Sequence, residues 1–501
     1  MPSMTITGSV PNDFSAVLRD LNALADATIV SASDRSVVLA TAGALGFELR
    51  GDGLTTGDVG GRSYVSGGTV KSIVLRGEGG AVLATIGKVN LDGAVLGGWL
   101  QAEWGSSTSG ALEAWMSGAF WDFSAGGTGG VLVAPFVSDD GVAVQTDGND
   151  SMALTSLGDT VDAGGGDDLV QAGGGENFID GGAGDDTIFG GGFSTYLGGH
   201  GNDAIYGGNR STIQGGGGND RIVLVGSSGA GSGASGGSGR DTVEGERGDE
   251  RLKGNGGGDV IDGSYGDDRL YGSGGNDSLD GSYDEDIVVG GKGDDTCLGS
   301  FGDDTVYGDD GNDRLDGGTD HDMVYGGAGD DAVAGWTGDD RLEGGAGNDT
   351  LYGATGSDTM AGDAGDDLLY GDGSVDVLDG GEGNDLLDGG LSSDTLSGGA
   401  GADTLTGGAG ADVFRFALVD DLTKADAPDI ITDFETGVDV IDLAGLGVIW
   451  RGEDAFVAGA AQARWSALTG RIVLDTDGNG SGDRVIVVQG DAPLGAGDVL
   501  A

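Results

Sequence analysis

GGAGNDTLY, residues Gly344–Tyr352, decides how this chain is read. It is one instance of G-G-x-G-x-D-x-U-x, with U apolar, and the pattern returns every nine residues. Steps of nine from Asp259 to Asp412 meet 18 positions, and all 18 are aspartate. Two residues beyond each aspartate stands the apolar residue, from Ile261 and Leu270 through Cys297 to Leu405 and Phe414. Six residues suit a tight turn, because glycine accepts positive φ, and three have strand character. Two such units close one 18-residue coil. Repeat n then stacks on repeat n+2 at about 4.8 Å, giving two parallel sheets whose U side chains meet in a thin core. One apolar side chain per nine ordered residues cannot by itself hold the coil, since all nine backbones lose freedom on folding.

An earlier and less regular array carries Asp150, Asp159, Asp168, Asp186, Asp203 and Asp220. It has Asn177 in an aspartate slot and one-residue deletions after Asp186. Between the arrays, GSSGAGSGASGGSG, residues 226–239, reads as a flexible interruption. The chain divides into 1–146, a β-rich part; 147–225, the irregular array; 226–239; 240–416, the main array; and 417–501, where alternating apolar residues resume. The expected class is all-β: a parallel β-roll, preceded by a mainly antiparallel β domain and followed by a C-terminal β domain. In 1–146, Phe14, Val17, Leu18, Leu21 and Leu24 behind Asn12 or Asp13 predict one amphipathic helix. Residues 36–39, 69–75 and 81–89 predict strands, and 111–123 a short helix.

Composition narrows the chemistry. Glycine contributes 113 of 501 residues, and 84 acids against 23 Lys and Arg give a formal net charge of -61. Phosphates would be repelled, so nucleic acid is not an expected partner. Acids at fixed intervals instead invite a hard cation. The single cysteine, Cys297, excludes an intrachain disulfide, and the only histidines, His200 and His321, lie in the repeats. Residues 1–146 hold no histidine, no HExxH and no GxSxG. The first residues lack a basic stretch followed by an apolar run, so no N-terminal secretory signal is expected, and no stretch suits a membrane span.

Stacked turns would bring carboxylates and turn carbonyls from repeats n and n+2 around one calcium ion, as a set of six oxygens. Asp268 would pair with Asp286, and Asp277 with Asp295. The candidate ligands are Asp168, Asp186, Asp241, Asp259, Asp268, Asp277, Asp295, Asp304, Asp313, Asp331, Asp340, Asp349, Asp358, Asp367, Asp385, Asp403 and Asp412. Multiple calcium ions are the expected cofactor, with binding and folding a single event.

Over about 150–416 the nonapeptide resembles the RTX calcium-binding proteins. The resemblance implies a β-roll that stays unfolded in low cytosolic calcium, passes a type I secretion apparatus and folds outside the cell. VFRFALVDD, DIITDFETGVDVIDLAGL, RIVLDTDGNGSGDRVIVVQG and the final DVLA resemble the serralysin-type C-terminal domain with its uncleaved export signal. Within it, Asp475, Asp477, Asn479 and Asp483 mimic a calcium loop with Gly480 at its turn, although Ile486 stands where a bidentate Glu belongs.

Successive turns fall into two rows. In the row of Asp259 the fourth residue of every repeat is Gly; in the row of Asp268 it is replaced by Asp284, Asp320, Ser374 and Ser392. Because such residues resist positive φ, this second edge is expected to bind fewer or weaker ions. Tyr206, Tyr271, Tyr307, Tyr325, Tyr352 and Tyr370 occupy the ninth position and should pack outward between coils. Cys297 fills a U slot as a small buried hydrophobe.

The functional expectation is a secreted, extracellular calcium-binding protein, structural, surface-bound or adhesive, with an extracellular polysaccharide or the cell surface as partner. It is not expected to be an enzyme. The alternative is a secreted hydrolase with a histidine-free catalytic N-terminal domain, for instance a carboxylate pair of Glu103 and Glu113. A pore-forming toxin fits least, since long amphipathic helices before the repeats are missing. Trp99, Trp104, Trp115, Phe120, Trp121 and Phe123 form a core cluster or a carbohydrate platform.

Overall fold

A computed structural model describes strands within residues 3–144. From Thr146 it describes all residues except 155–157, 227–230, 418–426, 491–493 and 496, with side chains from Gly148 onward. The predicted helix after Asn12, the carboxylates Glu103 and Glu113, and the Trp residues from 99 to 121 lie outside the described residues. The chain forms two compact units, divided between Thr242 and Val243.

In the first unit, Thr28–Ala32, Ser36–Ala40, Gly46–Val59, Arg62–Arg76 and Val82–Asp92 pair antiparallel in sequence order. They contain the predicted strands of this region, the third of them from Val82 onward. Of the short helix expected over 111–123, the described residues Asp122 and Phe123 belong instead to a strand, Asp122–Ala125, that pairs parallel with Ser3–Ile6.

The chain then begins to coil. Phe178–Ala183, Thr195–His200 and Thr212–Gly217 stack in one parallel sheet, and Leu169–Gln171, Thr187–Phe189 and Ala204–Gly208 in the other. The interruption expected over 226–239 is mostly a rung of this coil. Gly233–Ser238 pairs with Thr212–Gly217, and Ala234 fills the buried U position. An alanine and serines are small enough to keep the register.

In the second unit the two rows of strands repeat every 18 residues, so that Leu279, Cys297, Leu315 and Val333 are successive Cα partners. The U residues from Ile261 to Phe414 are each at most 1% exposed. Most strands run six residues rather than the expected three, as in Ser278–Tyr283 and Thr296–Phe301. The first three residues of each repeat continue the ladder, with Ser282 opposite Ser300 and Tyr283 opposite Phe301. The tight turn is therefore only the next three residues.

Asp429–Phe434 and Val440–Asp442 extend the two sheets from Thr404–Thr406 and Val413–Arg415, and Val499–Leu500 adds a last rung on Ile441 and Asp442. Gln462–Ser466, Arg471–Asp475 and Arg484–Gly490 form an antiparallel meander, whose last strand lies parallel to Asp429–Phe434. Among the described residues no helix is long and apolar enough to cross a membrane.

Candidate calcium-binding turns

Each aspartate of the nine-residue period closes a turn and opens a strand, and its side chain folds back under the turn. From Asp259 to Asp412 these carboxylates are at most 3% exposed. Their first oxygen has a partner: the Asp277 N–H donates to Asp295 Oδ1 at 2.7 Å, and the Asp268 N–H to Asp286 Oδ1 at 2.8 Å. The same bond recurs coil after coil, from Asp295 to Asp313, Asp331 and Asp349 in one row and from Asp286 to Asp304, Asp322 and Asp340 in the other. The second oxygen, Oδ2, is buried without a hydrogen-bond partner at Asp277, Asp286, Asp295, Asp313, Asp349 and Asp376 among others.

From Gly254 to Gly407 the first residue of each repeat faces that oxygen. It is glycine throughout the main array, and the reason is space rather than φ. A Cβ on Gly308 would lie 2.3 Å from Asp313 Oδ2 and 2.5 Å from the carbonyl oxygen of Gly326, one coil on. On Gly344 the corresponding distances are 2.5 Å to Asp349 Oδ2 and 2.9 Å to Gly362 O. Carboxylate and carbonyl oxygens thus converge on a clearing that offers them no donor. A buried acceptor left in that state is costly, and several oxygens around one point suit a hard cation of calcium's kind, with oxygen contacts of about 2.3–2.6 Å. The donor set fits calcium.

Burial also raises the carboxyl pKa values, with the backbone N–H bond pulling the other way and neighbouring carboxylates adding to the rise. Asp277 reaches about 6, Asp295 and Asp349 about 7, Asp286 about 8 and Asp268 about 9. A cation in the turn would hold these groups ionised.

All 17 candidate aspartates stand in these ladders. Asp259, Asp277, Asp295, Asp313, Asp331, Asp349, Asp367, Asp385 and Asp403 share one row; Asp268, Asp304, Asp340, Asp358 and Asp412 stand in the other. In the first unit Asp168 accepts from the Asp150 N–H, and the chain of bonds runs on through Asp186, Asp203 and Asp220 to Asp241. The candidate set omits Asp286, Asp322, Asp376 and Asp394, whose repeats lack glycine at the fourth position. They are as buried as their neighbours and make the same bonds. Asp284, Asp320, Ser374 and Ser392 do take positive φ, at 77–87°, against 112–150° for the glycines of that position from Gly257 to Gly383.

Two more rungs escaped the periodicity. The Asp403 N–H donates to Asp429 Oδ1, and the Asp412 N–H to Asp439 Oδ1, across gaps of 26 and 27 residues. The residue triplets Asp429-Ile430-Ile431 and Asp439-Val440-Ile441 keep the D-x-U signature that could have found them.

A second, exposed ladder occupies the fifth position. Asn276, Asp294, Asn312, Asp330, Asn348, Asp366 and Asn384 alternate, each Oδ1 accepting the N–H of the residue one coil later. Alternation places a neutral amide between carboxylates that would otherwise face each other, and the Asn348 and Asn384 amides donate to Asp330 and Asp366.

The ninth-position tyrosines pack between coils, Tyr307 on Tyr325 at 5.0 Å and Tyr352 on Tyr370 at 5.2 Å. Tyr206 stacks on Phe189, and Tyr271 faces Arg251. A further stack, Tyr265–Tyr283–Phe301, lies at the third position of the repeat, outside the ninth-position pattern. Arg247 lies over the Tyr265 ring, 5.3 Å from its centroid. Cys297 is fully buried, and burial pushes its thiol pKa up.

In the loop at 475–483, oxygens of Asp475, Asp477 and Asp483 lie within 4.8 Å of one another. Asp475 accepts from the Asn479 and Gly480 amides, and Asp483 from the Thr476 amide. Gly480 turns at φ 88°.

The model of the RTX calcium-binding nonapeptide repeat matches residues 162–197, 210–224 and overlapping stretches from 234 to 422. These are RTX calcium-binding repeats. No curated protein matches the chain. Among solved structures, the R3 subunit of a mannuronan C5-epimerase from Azotobacter vinelandii is 28% identical, over 32% of this chain and 78% of that one, with a TM-score of 0.17. The aspartate ladders of the RTX roll imply calcium binding.

Proposed function

We propose that this is a secreted calcium-binding protein whose main RTX array is unfolded inside the cell, leaves by a type I apparatus and folds on calcium outside. There it acts as a structural or adhesive element toward an extracellular polysaccharide or the cell surface, and has no catalytic role. The observation that carries this reading is the ladder of buried Oδ2 atoms beside the invariant first-position glycines, which needs a cation to be stable. A C-terminal export signal is proposed from DVLA and the preceding repeats-to-terminus segment, whose last rung closes on Asp498: its carboxylate accepts from the Gly437 and Gly495 amides.

The test is circular dichroism and size-exclusion chromatography of the full chain, with calcium and after chelation at pH 8. A large gain of β signal and compaction on adding calcium supports the reading; equal compaction in chelator defeats it. Export is tested by the appearance of the chain in culture supernatant before and after removal of 496–501. The absence of a catalytic role is tested on a panel of glycans and peptides, where calcium-dependent hydrolysis would overturn it.

A further inference from the structure

One edge of the first unit is built differently. Where other turns place aspartate, the turns before Phe178, Thr195 and Thr212 place Asn177, Ser194 and Ser211. These side chains donate where a carboxylate only accepts. Ser194 Oγ lies 3.1 Å from Gly192 O and 3.2 Å from Gly175 O, within donating distance of both. Ser211 Oγ and Tyr196 Oη both donate to Gly191 O, at 3.1 and 2.9 Å. The Asn177 amide faces the carbonyls of Ala172, Gly174 and Gly175 at 3.4 Å.

The clearing is filled as well. At Gly181 and Gly198, on the carboxylate edge, an added Cβ would meet Asp186 Oδ2 at 2.5 Å and Asp203 Oδ2 at 2.3 Å. At Gly190 it would meet Tyr196 Oη at 2.2 Å, and at Gly207 the Ile213 side chain at 2.6 Å. Tyrosine and isoleucine thus occupy space that elsewhere borders the orphaned oxygen. The ladder itself is kept, because the Asp159 N–H donates to Asn177 Oδ1 and the Asn177 N–H to Ser194 Oγ.

We propose that this Asn177–Ser194–Ser211 edge binds no calcium and is a metal-independent clamp, in which amide and hydroxyl donors take the role of the ion. It rests on the calcium reading of the carboxylate turns and adds that the first unit carries ions on one edge only. The clamp keeps register in the low-calcium state, and the opposite edge of Asp168, Asp186, Asp203 and Asp220 is then the part that calcium orders.

The experiment is hydrogen–deuterium exchange of the full chain, in calcium and after chelation at pH 8, comparing segments 172–178, 190–197 and 207–213 with 163–169, 181–187 and 198–204. Chelation should speed exchange in the carboxylate segments by about a hundredfold and in the clamp segments by less than about tenfold. An equal increase in both sets overturns the clamp while leaving the calcium reading intact. No change in either set defeats the calcium reading, and the clamp with it. Ser194→Ala with Ser211→Ala gives a second readout. It should raise clamp exchange at least about tenfold with calcium stoichiometry unchanged, and a loss of bound ions would overturn the proposal.

Discussion

Replacing Asp295 by asparagine should change stability in opposite directions with and without calcium. Asp295 is buried, its Oδ1 accepts the Asp277 N–H, and its Oδ2 has no hydrogen-bond partner. Burial lifts its pKa from 3.8 to about 7. A raised carboxyl pKa means that the folded, ion-free roll prefers the protonated form. In chelator this group therefore costs nothing below pH 3.8, and its cost grows as pH rises toward 7 and is complete above it. Some three units at about 1.4 kcal/mol each make a penalty of about 4 kcal/mol at pH 8.

Asparagine keeps an oxygen for the Asp277 amide and carries no charge. Its amide can donate to turn carbonyls, the arrangement Asn177 already shows beside Gly174 and Gly175. In chelator at pH 8 the variant should thus be more stable than the parent by up to about 4 kcal/mol, an advantage that vanishes near pH 4. In calcium the order reverses, because a charged ligand shared by two stacked turns is lost. Denaturant titrations in calcium, and the β signal by circular dichroism in chelator, each at pH 4 and pH 8, read the two directions. A variant that is less stable in chelator at pH 8 would refute the idea that ion-free carboxylates oppose folding.

Other substitutions probe the same turns. Gly344→Ala puts a Cβ against Asp349 Oδ2 and the Gly362 carbonyl; calorimetric titration should show at least one ion fewer, and unchanged stoichiometry would remove the reason given for glycine there. Ser374→Gly with Ser392→Gly relieves positive φ at two fourth positions; each relieved residue, at about 1 kcal/mol, should tighten calcium binding at its own turn by about fivefold. Cys297 should resist a thiol reagent in calcium and react in chelator, because its protection comes only from burial between coils; equal reaction in both media would place the U residues outside a cation-dependent core.

What was legible in the sequence was whatever repeats at a fixed interval. Nine-residue spacing placed the aspartates, the buried U residues and the Tyr307–Tyr325 and Tyr352–Tyr370 stacks, since each depends only on which residue lies 18 positions away. It misjudged what depends on direction. The first-position glycines sit within strands, not turns, because a Cβ there would strike the Asp oxygen, and periodicity cannot separate that need from a need for positive φ. At Asp284 and Ser374 a smaller positive φ than glycine's keeps Asp286 and Asp376 in the ladder, a geometry that leaves the strength of ion binding at that edge to measurement. Where the interval lapses, at Asp429 and Asp439, the ladder still closes, because the binding contact is a local triplet laid on the previous coil and the intervening chain is free in length. The asparagine and serines at 177, 194 and 211 follow from the same physics with opposite sign: a turn whose carbonyls must be satisfied accepts either a cation shared with carboxylates or a proton donor of its own. A chain of charge -61 that uses both can therefore hold one edge in register before any ion arrives.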